Sequence, residues 1–145
     1  MERAARIMCW VAVGILGLAV GGQWLLTPEA AAEPFQITLG SAAALNQARG
    51  DIGGVFVGLA AVITLGLLRG EPRWLEAAAI ALVGVIVGRL IGVAVDGARS
   101  EALTPIAVEI AMALALWKTA RSFESAGSAG AAESAAASQG EPQGA

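Results

Sequence analysis

Four long apolar stretches divide the chain, and polar residues gather between them. The first, Ile7–Leu26, holds twenty residues without a charge. The second, Ile52–Leu68, holds seventeen, and its helix is expected to begin earlier, near Ser41. The third, Ala77–Val95, is broken only by Arg89, and the fourth, Leu103–Trp117, only by Glu109. A helix needs about 20 mostly apolar residues to cross a bilayer. None of the stretches carries the polar stripe of a surface helix, and no period-2 alternation suggests a barrel. The pattern predicts an all-α, up-down-up-down bundle of four transmembrane helices, with spans at about 7–26, 42–68, 75–95 and 103–119.

The breaks agree with this division. Thr27–Pro28 ends the first helix, and residues 28–40 read as a loop containing Pro34, Phe35 and Gly40. Ser41 suits the N-cap of the second helix. Gly70-Glu71-Pro72 reads as a tight turn. Asp96–Thr104 is the third connection, and Pro105 fits the first turn of the fourth helix. Residues 122–145 are mostly Ala, Ser, Gly, Glu and Gln with one Phe. They are expected to form a disordered tail, since they offer little to bury.

Composition sharpens the membrane reading. The chain is 57% hydrophobic and 14% charged, with a mean hydropathy of +0.70, against about 25% charged for a soluble domain. The net charge of −3 belongs to the tail, which has Glu124, Glu133 and Glu141 and no base. Residues 1–121 balance nine acids with nine bases. No basic stripe points to nucleic acid. With no His and one Cys, His/Cys metal sites, intrachain disulfides and Cys–His or Ser–His–Asp machinery are excluded. Cys9, inside the first stretch, is expected to be packing rather than a redox thiol.

Charge also predicts orientation. Arg3, Arg6, Arg69, Arg73, Lys118 and Arg121 fall on one side of four crossings, while the opposite connections carry Arg99 with Glu29, Glu33, Asp96 and Glu101. Lys and Arg favour the cytoplasmic side. The expectation is a multi-pass protein of a bacterial cytoplasmic (inner) membrane with both termini inside. Trp10, Trp74 and Trp117 then lie near the inner interface and Trp24 near the outer one. A rival exists: Arg3, Arg6, the apolar run and Ala30-Ala31-Ala32 resemble a secretory signal with a cleavage site. The run exceeds the usual apolar core of about 7–15 residues, which favours a retained span. Cleavage would leave three spans in the same orientation.

Ionisable groups inside spans cost about 2.5–3.5 kcal/mol each on insertion scales. Here they are Arg49, Asp51, Arg89 and Glu109, with Asn46 and Gln47 beside them. At 1.5 Å rise per residue, Arg49, Arg89 and Glu109 lie about 12, 10 and 8 Å in from the outer side. The shared depth predicts one polar cluster in the bundle interior, with Arg89–Glu109 as the expected interhelix ion pair. Asn46 and Arg49 share a helix face at i,i+3, and Gln47 and Asp51 share the next at i,i+4. If Asp51 faces water instead, the cluster is net positive and suits an anion or a quinone carbonyl. A structural reading stands beside this one: a buried pair can simply fix helix register. Small residues mark expected helix packing: Gly17 and Gly21; Gly50, Gly54 and Gly58; Gly84, Gly88 and Gly92. Packing within the chain is the main expectation for them, ahead of dimerisation.

The run Ala44-Leu45-Asn46-Gln47-Ala48-Arg49-Gly50-Asp51-Ile52-Gly53-Gly54, with Gly88-Arg89-Leu90 and Glu109, resembles a family of uncharacterised bacterial four-helix membrane proteins. In that family the second helix opens with an Asn-Glu-x-Arg-like motif and a Gly pair. Gln47 stands where the resemblance would put Glu, and Asp51 where it would put a less acidic residue. The likeness covers about residues 5–120. The family also looks distantly similar to the DoxX-like membrane proteins, some of which are small subunits of quinone-linked oxidoreductases. That implies the topology and the polar cluster more than an activity.

No nucleophile–base pair is present, so a stand-alone enzyme is not expected. The leading expectation is a non-catalytic membrane accessory or subunit protein with an outer-leaflet-side polar pocket. Its partners would be the lipid bilayer and either another membrane protein or a second copy. No cofactor is evident, although a quinone or lipid would suit the pocket. Alternatives are a quinone-linked redox membrane subunit and a small dimeric transporter.

Overall fold

The computed structural model describes residues 2–97 and 100–139. Arg99, assigned above to the third connection, and residues 140–145 of the tail lie outside them. Four helices are long and apolar enough to cross a membrane: α1 (Arg3–Leu26), α2 (Ala42–Arg69), α3 (Pro72–Val95) and α4 (Leu103–Ala131). Two of them widen midway into π-type turns, over Gly14–Gly22 in α1 and Ala48–Gly54 in α2. Both stretches are rich in glycine, and both lie where α1 and α2 approach most closely.

That approach has a regular register. A Cβ added at Gly17 would stand 2.9 Å from the Ala60 Cβ, and one at Gly21 2.8 Å from Val57 Cγ2. One at Gly53 would stand 2.9 Å from Leu25 Cγ. As α1 advances, its partners on α2 recede. With no hydrophobic drive between helices in lipid, close backbone packing of this kind supplies the attraction.

Local signals explain the breaks. Ser41 accepts a hydrogen bond from the Ala44 N–H at 3.1 Å, capping α2. Gly70 takes a left-handed φ of 64° after α2, and the Glu71 N–H donates to the Gly66 carbonyl at 3.1 Å. This is a Schellman ending, which favours glycine at the left-handed position. Pro72 then opens α3, where its missing N–H costs nothing. Glu71 ties the turn further, accepting from Arg73 Nη2 and Trp74 Nε1, each at 2.8 Å.

The main core joins all four helices at the end of the bundle that carries the α2–α3 turn. Cys9, Ile63, Leu75, Leu82 and Leu116 are fully buried there. Cys9 Sγ lies 3.4 Å from Thr119 Oγ1, whose hydroxyl donates to the Ala115 carbonyl. The opposite end has a smaller, separate core. Residues 28–40, read from sequence as a loop, form a short helix, Pro28–Ala32, and a 3-10 turn, Glu33–Phe35. Ala31 and Ala32 bury Trp24 against Ala48. Trp24 is therefore only 6% exposed, packed under this strap rather than facing an interface as an aromatic belt would have it. Trp10 and Trp117 are exposed.

The fourth helix differs most from expectation. It begins at Ser100, so Pro105 lies inside it rather than in its first turn, and it continues to Gln139. Disorder was expected from 122. Two features carry the helix onward. Alanine, abundant there, is the best helix former. Phe123 packs against the main core, with the Arg6 guanidinium 5.3 Å from its ring centre.

Candidate functional site

The Arg89–Glu109 pair is the most buried ionic contact among the described residues. Arg89 Nε donates to both carboxylate oxygens of Glu109, at 2.8 and 2.9 Å. The Glu109 side chain is 10% exposed and the Arg89 side chain 35%. Glu109 lies one turn before Met112, which belongs to the main core, so the pair sits where apolar packing gives out. Arginine stays protonated, and the neighbouring carboxylate balances it. The two terminal nitrogens of Arg89 make no hydrogen bond among the described residues.

Arg49 has a different partner. It is half-buried in the π-type stretch of α2, and its Nε donates to the Leu25 carbonyl at 3.0 Å. Leu25 lies in the last turn of α1, where carbonyls lack partners within the helix and a cation is favoured by the helix dipole. Arg49 thus clamps α1 to α2, and Arg89 clamps α3 to α4. No hydrogen bond or ion pair among the described residues links the two arginines' neighbourhoods. Asn46, Gln47 and Asp51 are exposed. The residues expected to form one cluster therefore fall into two clamps and an exposed polar face. Depth in the membrane is set by rise per residue alone, whereas convergence also needs the helix faces to agree.

The glycines divide in the same way. Gly17 and Gly21 of α1 are packed against α2, and Gly53 of α2, which the small-residue pattern did not single out, is packed against Leu25 of α1. A Cβ at Gly50, Gly58, Gly84 or Gly88 would meet nothing within 4 Å, and one at Gly54 only the Arg49 carbonyl, at 3.7 Å. Gly92 is half-buried. The α3 stripe is thus open within this chain, and α3 is the least buried of the four helices. Val83, Val87, Leu90 and Ile91 are exposed along it.

Sequence reasoning missed the Leu25 carbonyl as a partner for Arg49. The usable signal was positional: a cation in the first turns of α2 faces the exhausted C-terminal end of α1. No three Cys, Asp or Glu side chains converge as metal ligands among the described residues.

Four apolar helices, tight glycine crossings and an arginine–glutamate pair inside the apolar segments define a small multi-pass membrane protein. The chain belongs to the family described as a domain of unknown function (DUF4345), whose model matches residues 4–119. No curated protein and no solved structure matches it.

Proposed function

We propose that this protein is a non-catalytic accessory or subunit protein of a bacterial inner membrane, and that it receives a membrane partner against α3. The helices run up-down-up-down with both termini cytoplasmic. The receding register of α1 against α2 and the six cations on one side support that arrangement. One observation carries the partner reading. Nε of Arg89 alone bonds Glu109, and the two terminal nitrogens make no hydrogen bond among the described residues, while Gly84 and Gly88 leave another face of the same helix open. In an apolar medium an unmet donor is costly, so these nitrogens call for an acceptor brought by another molecule. The open stripe gives a partner helix a face on which its backbone can pack closely.

The test is subunit counting and cross-linking of the full chain in bilayers and after mild extraction. The wild type is expected to hold a partner, either a second copy or another membrane protein. Gly84→Leu/Gly88→Leu, and separately Arg89→Lys, are expected to weaken that association about tenfold, the equivalent of one charge-assisted hydrogen bond. Unchanged melting of each variant would separate this from misfolding. A wild-type chain that stays single under every extraction condition and in bilayers would overturn the proposal.

A quinone head group is the second reading. The same open nitrogens favour it, since a carbonyl oxygen is the acceptor they lack. Electrons would have to come from another chain, because no haem, flavin or iron–sulfur ligand set is evident. Quinone retained by the wild type and lost in Arg89→Ala would select this reading, and equal content in both would remove it.

A further inference from the structure

At the end of the bundle carrying the α2–α3 turn, far from Arg89, the start of α1 and the middle of α4 leave an open groove of about 590 Å³. Its α4 wall changes character along its length: Ala111 and Leu114 are apolar, and Lys118 and Arg121 follow toward the end, where Ala5 and Met8 of α1 face them. On α4 these positions follow one stripe at steps of three and four residues, so they share a face. The apolar part of the groove, from Ala111 to Lys118, runs about 10 Å at 1.5 Å per residue. That length fits within one leaflet, half of a hydrocarbon core about 30 Å thick.

The basic end is available. Lys118 is exposed and makes no hydrogen bond or ion pair among the described residues. Arg121 lies over the Trp117 ring at 5.4 Å, and its only carboxylate neighbour among the described residues, Glu124, is 3.9 Å away. Arg6 is turned to Phe123. The hydroxyls of Ser122 and Ser125, which also line this end, donate to their own helix carbonyls.

We infer that this groove is a binding site for an anionic phospholipid, with one acyl chain along Met8, Leu114 and Ala111 and the phosphate at Lys118 and Arg121. Two features of the groove support this occupant. Its polar end is lined by two cations, Lys118 and Arg121, against one carboxylate, Glu124, at 3.9 Å from Arg121, a positive balance that complements a phosphate, and basic pockets between transmembrane helices take anionic head groups. Its apolar part, about 10 Å long, fits within one leaflet. The volume is in the range of about 300–1,000 Å³ usual for small-ligand sites. The inference needs only that the chain spans a bilayer, and it stands whether or not α3 receives a partner.

The test is native mass spectrometry of the full chain after exchange into mixed micelles of phosphatidylglycerol and phosphatidylcholine. The wild type is expected to retain phosphatidylglycerol preferentially. Lys118→Gln/Arg121→Gln is expected to lower that retention by about fivefold for each lost cation. Ala111→Trp, which fills the groove and leaves both cations, is expected to lower it as well. Circular dichroism melts establish that each variant is folded, and a variant that fails to fold is replaced by Lys118→Gln alone or Ala111→Leu. Equal retention of the two lipids by the wild type would overturn the inference. So would wild-type retention in the charge variant, or a loss in the charge variant that Ala111→Trp does not share, which would indicate a diffuse basic surface.

Discussion

The two ends of the bundle are held by different physics. At the end carrying the α2–α3 turn, α1, α2, α3 and α4 share one apolar core from Cys9 to Ala120. At the other end that core stops, and the helices pair off. Arg49 ties α2 to the Leu25 carbonyl of α1, and Arg89 ties α3 to Glu109 of α4. Lipid tails are as apolar as leucine, so burial alone does not draw helices together. Where side chains interlock closely, packing suffices. Where they do not, a polar clamp inside an apolar medium can hold a pair. The contrast also separates two kinds of site, since the packed end offers an outer groove. The packed end has little room to accept anything internally, whereas the clamped end leaves donors, glycines and exposed polar side chains open.

Breaking the Arg89–Glu109 clamp should have the largest effect. Glu109→Ala leaves Arg89 uncompensated and is expected to destabilise the fold by about 3 kcal/mol, the lower end for a broken buried pair because Arg89 is 35% exposed. Unfolding in mixed micelles measures this. The exchanged variant Arg89→Glu/Glu109→Arg should recover much of the loss, and no recovery would mean that the pair does not act as a pair.

The glycines sharpen the comparison next. Gly17→Ala places a methyl 2.9 Å from the Ala60 Cβ and is expected to cost about 1–3 kcal/mol by overpacking. Gly84→Ala meets nothing within 4 Å and is expected to be neutral, or stabilising by about 0.5–1 kcal/mol through helix propensity. Equal costs at the two sites would erase the distinction between the packed and open glycines.

Arg49→Gln tests the smaller clamp. Losing the hydrogen bond from a charged donor to the Leu25 carbonyl is expected to cost about 1.5 kcal/mol. Hydrogen exchange should show earlier opening of the α1–α2 end while the shared core stays protected. Uniform loss of protection would place Arg49 in one cooperative unit with the core.

The smallest effect belongs to the exposed turn. Hydrogen bonds from Arg73, then Trp74, hold the Glu71 carboxyl below its ordinary pKa. A group depressed in the folded state contributes stability above its unfolded pKa, and that contribution is lost as pH falls through the folded pKa. Thermal melts should therefore drop slightly on acidification below the ordinary carboxylate range. Glu71→Gln should remove that part of the slope, and an unchanged slope would show that the turn does not contribute.

Much of this was legible from residue order. Long uncharged runs, Pro28, Ser41, Gly70 and Pro72 located the helices and their ends, because those signals act within a few residues. Arg89 and Glu109 stood out because a charge in an apolar run needs a partner, and their depths agreed. The partner of Arg49 was hidden, since every residue has a carbonyl and only the fold says which one is near. The strap over Trp24 was hidden as well, because short alanine segments bury themselves only when a neighbour offers a surface. The tail was expected to lack order on composition, and it continues as helix to Gln139 because alanine favours helix and Phe123 finds the core.

Sequence by itself determined that this chain has four helices suited to a bilayer, where the first three begin and end, and that a few ionised groups would need partners. Those properties follow from hydropathy, length and local capping, which are written residue by residue. Tertiary structure alone decided that the ionised groups split into two clamps and that Gly17 is packed while Gly84 is open. It also decided that a basic groove runs beside Ala111. Each of these depends on which helix face meets which neighbour, and rotation about a helix axis is set by contacts distant in the chain.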